Sequence, residues 1–79
     1  MGLAEDIRAK VHQGTLPPGM PSNVTVLAGD GRPCSACDES ISPAQPRYEF
    51  GFPGFGTFRF HLECLGLWTL ELLRRGWLS

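Results

Sequence analysis

The stretches that decide the fold are Cys34-Ser35-Ala36-Cys37 and His61-Leu62-Glu63-Cys64, which are separated by residues 38–60. Each stretch places two potential metal ligands with two residues between them, which is the spacing of a tetrahedral zinc site. A Cys-x-x-Cys turn brings two sulfur atoms to one side of a knuckle, and a His-x-x-Cys pair on a first helical turn shares one face. The spacing therefore predicts one zinc ion held by four protein ligands, Cys34, Cys37, His61 and Cys64.

Other chemistries of the cysteines fit the sequence less well. The chain has three cysteines, so they cannot all pair as disulfides within one molecule. A redox-active pair of Cys34 and Cys37 would need a helix that opens at the second cysteine, but Ile41-Ser42-Pro43 follows closely and disfavours one. A redox pair and unligated cysteines are the alternatives to zinc, and the sequence does not decide between zinc and iron.

Length and charge limit the class of protein. A length of 79 residues indicates a small domain. The hydrophobic core of such a domain contributes only roughly 3–5 kcal/mol to its folding stability, whereas binding of a structural zinc ion contributes on the order of 10 kcal/mol. The formal charge of −1 gives no broad attraction to nucleic acid or to acidic membranes. Residues 1–6 lack the features of a secretory signal, and no apolar run is long enough to span a bilayer. We therefore expect a cytoplasmic protein that does not bind membranes.

The N-terminal third predicts a helix followed by a linker. Residues 3–13 have apolar side chains at helical spacing, acidic residues first and basic residues last, and Gly14 is a suitable end. The proline-rich residues 14–23 predict an extended, polyproline-like linker. We therefore divide the chain into residues 1–23, helix and linker, and residues 24–79, the zinc-binding domain, which begins with a short strand at 24–28.

A β-hairpin is predicted between the two ligand pairs. Residues 47–52 and 57–61 alternate aromatic and polar side chains, and residues 53–56 have the composition of a turn. A register that keeps the aromatic side chains in phase also places Glu49 opposite Arg59. One face of the hairpin then carries five aromatic side chains, Tyr48, Phe50, Phe52, Phe58 and Phe60.

Residues 61–75 predict the main helix, with Gly76 as its end and Trp77 placed to contact Leu72. A helical wheel predicts one core-facing arc, made of Leu62, Leu65, Trp68, Leu72 and Leu73. The same wheel places the charged side chains elsewhere, at Glu63, Glu71, Arg74 and Arg75. Leu67 and Leu70 fall on this polar side, where they need a separate explanation.

The order of knuckle, hairpin and ligand-bearing helix over residues 34–75 resembles a treble-clef zinc finger. The Cys-x-x-Cys and His-x-x-Cys pairs resemble the finger of poly(ADP-ribose) polymerases and, more loosely, half of a LIM domain. The whole chain is similar to small bacterial zinc-binding proteins. The resemblance implies a small α+β domain stabilised by zinc, with a knuckle, a hairpin and a C-terminal helix, to which this chain adds an N-terminal helix. The second zinc module of a LIM domain is missing from the sequence.

The function that we expect is a non-enzymatic module that binds a protein, including a second copy of itself. Four protein ligands leave no coordination position for water, and no catalytic or phosphate-binding constellation accompanies them, so no small-molecule substrate is expected. Leu67 and Leu70, rimmed by Glu63 and Arg74, form the predicted partner-binding surface. Two explanations of these leucines stay open: the N-terminal helix covers them, or a partner docks on them.

The alternative function is nucleic-acid binding. Four arginines would contact phosphates, Arg47, Arg59, Arg74 and Arg75, while the ring of Phe55 or Tyr48 stacks on a base. The acidic balance of the chain disfavours this alternative.

Overall fold

The computed structural model describes residues 2–19, 21 and 23–76, and this part of the chain contains two helices and three strands. Their order along the chain is α1 (Leu3–Gln13), β1 (Thr25–Ala28), β2 (Pro46–Phe52), β3 (Gly56–Phe60) and α2 (Leu62–Arg74). The strands form one antiparallel sheet in the order β1-β2-β3. Helix α2 packs on β2 and β3, and α1 packs on α2. The predicted small α+β class is confirmed. Neither helix among the described residues is long and apolar enough to cross a membrane.

Helix α1 has the predicted bounds. The backbone N–H of Gly2 donates to the Glu5 carboxylate at 3.1 Å, which satisfies one of the free donors at the helix start. Gly14 ends the helix with a φ of 81°, a left-handed conformation that glycine adopts without steric cost. Ile7 and Val11 are buried, so α1 is docked on the rest of the chain through its apolar stripe.

The segment after α1 is packed more closely than a solvated linker would be. Leu16 and Pro17 are buried. The indole Nε1–H of Trp68 donates to the carbonyl of Pro17 at 3.1 Å, which gives a buried indole the polar partner that it needs. Leu16 belongs to the same hydrophobic cluster as Ile7 and Trp68, so this segment contributes to the core.

The hairpin has the predicted register. Phe50 pairs with Phe58 and Glu49 with Arg59 across β2 and β3, so the aromatic side chains of both strands share one face. On the opposite face, Arg59 Nε lies 3.9 Å from a Glu49 carboxylate oxygen. Strand β1 adds to the free edge of β2, and its four residues are exposed, because α2 covers only β2 and β3.

The core forms where the aromatic face of the hairpin meets α2. The Trp68 ring lies 5.4 Å from the Phe50 ring and 5.2 Å from the Phe60 ring, measured between centroids. Trp68 and Phe60 are fully buried, and Leu72 is buried beside them. Phe50 and Phe60, on the aromatic face of the hairpin, therefore pack against Trp68 of α2.

The predicted core arc of α2 is wrong at two positions. Leu62 is 59% exposed and Leu73 is 49% exposed, although the helical wheel assigns both to the core. The reason is that α1 packs along α2, so the buried arc is shifted toward α1 and away from these leucines. A wheel weighted by hydrophobicity cannot include a neighbouring helix whose position is not local information.

The helical wheel is also wrong at Glu71, in the opposite sense. The wheel places it on the polar side, but it is buried, with 7% exposure. Its carboxylate accepts from Arg8 Nε of α1 at 3.3 Å and from Arg75 Nε at 3.0 Å. Burial of a carboxylate is tolerated here because charged donors surround it.

Helix α2 ends near the predicted position. Arg75 is its C-terminal cap, and Gly76 has a φ of 75° with its N–H donating to the carbonyl of Leu73 at 3.0 Å. The predicted contact between Trp77 and Leu72 lies outside the described residues.

Candidate metal centre

The first two ligands lie in a tight turn between β1 and β2. The N–H of Asp38 donates to the carbonyl of Cys34 at 2.9 Å, and Asp38 has a φ of 66°, a left-handed conformation that aspartate tolerates better than most residues. The N–H of Cys34 donates to the carbonyl of Glu39 at 2.8 Å, so the chain returns on itself around the turn. The result is a knuckle, residues 34–39, that presents both sulfur atoms together.

Strand β3 holds the knuckle in place. The N–H of Ser35 donates to the carbonyl of Arg59 at 2.7 Å, and the N–H of Arg59 donates to Ser35 Oγ at 3.0 Å. The two residues therefore exchange a pair of hydrogen bonds. Because β3 leads directly into α2, this pair fixes the knuckle relative to the second pair of ligands.

The other two ligands stand at the start of α2. His61 is the N-terminal cap residue, and Cys64 follows within the first turn, where its side chain is buried. Residues three apart on a helix share a face, so both side chains point toward the knuckle. His61 Nδ1 lies 3.4 Å from Cys37 Sγ and 3.9 Å from Cys64 Sγ.

The orientation of the His61 ring suits a metal ligand. Its other ring nitrogen, Nε2, lies 3.2 Å from the carbonyl of Ser40. A carbonyl accepts hydrogen bonds only, so this contact places the proton on Nε2 and leaves the Nδ1 lone pair directed at the sulfur atoms. A second hydrogen bond of this kind is the usual way in which a metal-binding histidine is held.

The four side chains fit one metal ion. Their donor atoms, three sulfur atoms and one nitrogen, all lie within 4.8 Å of one another. Bonds of about 2.3 Å to sulfur and about 2.0–2.1 Å to nitrogen would separate tetrahedral ligands by about 3.5–3.8 Å. The observed cluster is thus close to the size that a tetrahedral ion requires. The structure brings together all four residues that the spacing predicts, and the group could hold a metal ion.

The electrostatics of the cluster favour a cation. Burial, followed by the nearby Cys34 sulfur, raises the pKa of the Cys64 thiol and also that of the Cys37 thiol. Burial also acts against ionisation of Cys34, but hydrogen bonds from the backbone of Cys37, His61 and Ala36 outweigh it and lower the Cys34 pKa. Three thiolates so close together repel one another, and a bound divalent cation would remove that repulsion.

Sequence reasoning misses Lys10. In the sequence it is one of the basic residues that end α1, but in the structure its ammonium group reaches the knuckle. Its three acceptors are the carbonyls of Ser35 and Ala36 and the carboxylate of Asp38. No local pattern could show this contact, because α1 is brought to the knuckle by its packing on α2.

The four residues predicted to bind a partner do not have equal environments. Leu70 is 56% exposed, whereas Leu67 is half-buried against the core. Glu63 and Arg74 are exposed, and Arg74 Nη1 lies 3.7 Å from the Glu71 carboxylate. Helix α1 packs on α2 without covering Leu70, so the two leucines that the sequence treats as one surface are separated by the fold.

No family model, curated protein or solved structure matches this chain. The likeness to polymerase-type and LIM fingers therefore depends on ligand spacing and element order alone. The Cys₃His cluster does not depend on this likeness, since the structure itself places the four donor atoms within 4.8 Å of one another.

Proposed function

We propose that this chain is a non-enzymatic structural zinc module that binds a second copy of itself through one face of α2. Three thiolates and one imidazole are a donor set that suits zinc. Four protein ligands would complete its tetrahedral coordination and leave no position for a reacting water. The zinc would then stabilise the fold, and the function would belong to the surface.

The observation that carries the proposal is an apolar face of α2 that none of the described residues covers. Leu62, Leu70 and Leu73 are exposed by 59%, 56% and 49%. With 3.6 residues per turn they project in similar directions, together with the exposed Gly66. We call these four residues the leucine face. A run of exposed leucines along one helix is unusual for a soluble monomer and typical of an interaction site.

Gly66 indicates what kind of partner the leucine face accepts. Glycine inside a helix lowers stability by about 1 kcal/mol relative to alanine. A Cβ atom built on Gly66 would meet no atom of residues 2–19, 21 or 23–76 within 4 Å, so no contact with these residues requires a glycine here. A small residue at the centre of an apolar face lets a second helix approach closely. The partner is therefore expected to present a helix.

The positions of two charged residues indicate that this partner is a second copy of the chain. Glu63 and Arg74 project on the same flank of the leucine face, near opposite ends of α2. If two α2 helices pack antiparallel about a two-fold axis, Glu63 of one copy meets Arg74 of the other, and the contact occurs twice. The surface is thus complementary to itself, as a two-fold interface requires.

The positions of the basic residues weigh against nucleic-acid binding. Each of the seven Lys and Arg side chains, all within the described residues, lies within 4 Å of a carboxylate of the same chain. Arg47 and Arg59, for example, both face Glu49. Phosphate contacts dominate nucleic-acid affinity, and here they would have to compete with these ion pairs.

The test is a charge exchange combined with sedimentation analysis. Glu63→Arg and Arg74→Glu should each weaken the dimer, and the double variant should restore it because the pair is reversed. Gly66→Leu should dissociate the dimer without lowering the melting temperature of the monomer, since the side chain has free space there. A wild-type chain that stays monomeric as its concentration is raised, or a double variant that is not restored, would contradict self-association.

The zinc component is tested separately. Elemental analysis of the purified chain should find one zinc per molecule. The alternative function, nucleic-acid binding, has its own test. Binding of a nucleic-acid duplex or single strand at about 50 mM salt would favour it, because electrostatic binding is strongest at low salt.

A further inference from the structure

Lys10 makes more contacts with the knuckle than helix docking alone needs. Its Nζ lies 3.2 Å from the carbonyl of Ser35, 2.8 Å from the carbonyl of Ala36 and 2.9 Å from a carboxylate oxygen of Asp38. An ammonium group has three donors, and each has an acceptor here. The Lys10 side chain is only 19% exposed, so water screens its charge weakly.

One of these contacts continues to a metal ligand. The carbonyl of Ser35 and the N–H of Ala36 belong to the same peptide group, and that N–H lies 3.4 Å from Cys34 Sγ, to which it donates. The ammonium group, the peptide and the sulfur therefore form one hydrogen-bonded chain. Hydrogen bonds connected in this way polarise one another, so a cation at the carbonyl strengthens the donor at the sulfur.

The sign of the charge agrees with this arrangement. Three thiolates, a neutral imidazole and a divalent ion would carry a net charge of −1. The amide of Ala36 would stabilise part of that charge on Cys34, and Lys10 would stabilise it further through the peptide. Asp38, within the knuckle, is held by the same ammonium group, which offsets its repulsion of the thiolates.

We propose that Lys10 is a positioning residue of the metal centre, which acts through the Ser35–Ala36 peptide to favour the metal-loaded form. The proposal rests on the zinc component of the proposed function and is independent of self-association, since Lys10 is not part of the leucine face. It makes α1 a component of the metal centre although α1 contributes no ligand.

Arg8 provides a matched control on the same helix. Its Nε lies 3.3 Å from the Glu71 carboxylate, and the contact also joins α1 to α2. Removing either side chain deletes one positive charge and one ionic contact of α1. Of these two residues, Lys10 contacts the knuckle and Arg8 contacts Glu71, so the two variants separate an effect on metal binding from an effect on helix docking.

The experiment measures the zinc affinity of the full chain by competition with a chromophoric chelator. We expect Lys10→Met to weaken zinc binding by about 10–100-fold, the usual effect of losing a residue that supports a metal ligand. Arg8→Met should keep the wild-type affinity, and Lys10→Arg, which keeps the charge and the donors, should recover most of the loss. With Co²⁺ in the site, the thiolate-to-cobalt absorption band should shift in Lys10→Met and stay unchanged in Arg8→Met.

A Lys10→Met variant with wild-type affinity would overturn the proposal, and so would equal losses in Lys10→Met and Arg8→Met. If Lys10→Met does not fold, Lys10→Gln replaces it, because glutamine can still donate to a carbonyl but carries no charge. Wild-type affinity in that variant would equally overturn the proposal. Failure of the wild-type chain to bind zinc would instead contradict the proposed function itself.

Discussion

The two faces of α2 carry the same spacing of residues and meet opposite environments. Cys64, Trp68 and Leu72 follow one another at intervals of four and are buried. Leu62, Gly66 and Leu70 also follow one another at intervals of four and are exposed. The spacing of residues along the helix is therefore the same on both faces and cannot explain why one face is buried and the other exposed. What differs is the set of neighbours, because the sheet and α1 meet the first face only, and burial is decided by that contact.

The largest expected difference between the faces concerns the metal ligand. Cys64→Ser should leave the chain largely unfolded, because structural zinc contributes on the order of 10 kcal/mol to folding and Cys64 joins α2 to the knuckle. Leu62→Ser, two residues away on the exposed face, should stay folded with zinc bound. Circular dichroism and zinc content of both variants check this prediction. A Cys64→Ser chain with a native spectrum and no zinc would show that the core folds without metal.

The second prediction tests the aromatic side chains that reach the buried face. Phe60→Ala should lower the free energy of unfolding by about 3–5 kcal/mol, as is usual for a buried phenylalanine. Phe55 is 42% exposed at the hairpin turn, where it contacts the Phe52 and Phe58 rings, and Phe55→Ala should have a smaller effect. Chemical denaturation of the zinc-loaded variants measures both. A larger loss for Phe55→Ala would mean that the turn, not the face below Trp68, holds the hairpin.

The third prediction compares two adjacent leucines. Leu72 is fully buried and Leu73 is 49% exposed. Leu72→Ala should cost about 2–5 kcal/mol of stability, whereas Leu73→Ala should chiefly weaken self-association. Melting and sedimentation measured on the same samples separate the two effects. Equal losses of stability would indicate that the leucine face is covered within the monomer.

The smallest expected effect comes from Glu71, the charged residue of the buried face. Burial acts to raise the pKa of its carboxyl, but hydrogen bonds from Arg75 and Arg8 outweigh burial and lower it. A lowered pKa in the folded state contributes stability above the pKa of the unfolded chain, and this contribution is lost as the pH falls through the folded-state pKa. The stability difference between wild type and Glu71→Gln should therefore be about 1 kcal/mol near neutral pH and should shrink in acid.

Denaturation at a series of pH values measures that difference. Acid also weakens metal binding, but this loss is common to both proteins and is removed by the subtraction. Glu63→Gln, on the exposed face, is the control and should show no such trend. A difference between wild type and Glu71→Gln that is constant with pH would contradict a role for the charge.

Several features could be predicted because their causes are local. The ligand spacing placed Cys34, Cys37, His61 and Cys64 together, and Gly14 ended α1 at the predicted residue. The alternating aromatic side chains determined the register of β2 and β3, since a shift by one residue would have turned one set to solvent. Features that depend on distant contacts were not predictable. The helical wheel assigns Leu62 and Leu73 to the core and Glu71 to the surface, because the sequence does not show where α1 packs.

The four candidate ligands, the helix and strand types and the pairing of the hairpin can be predicted from the sequence, because they follow from spacing and alternation within short segments. Three further features require the folded chain: the extent of the buried face of α2, the burial of Glu71 and the position of the Lys10 ammonium group. Each of these depends on the docking of α1 against α2, a contact between residues about sixty positions apart, such as the 63-residue separation of Arg8 and Glu71. Periodicity shows that a helix has an apolar face, but the element that covers that face is chosen by the packing of the whole chain.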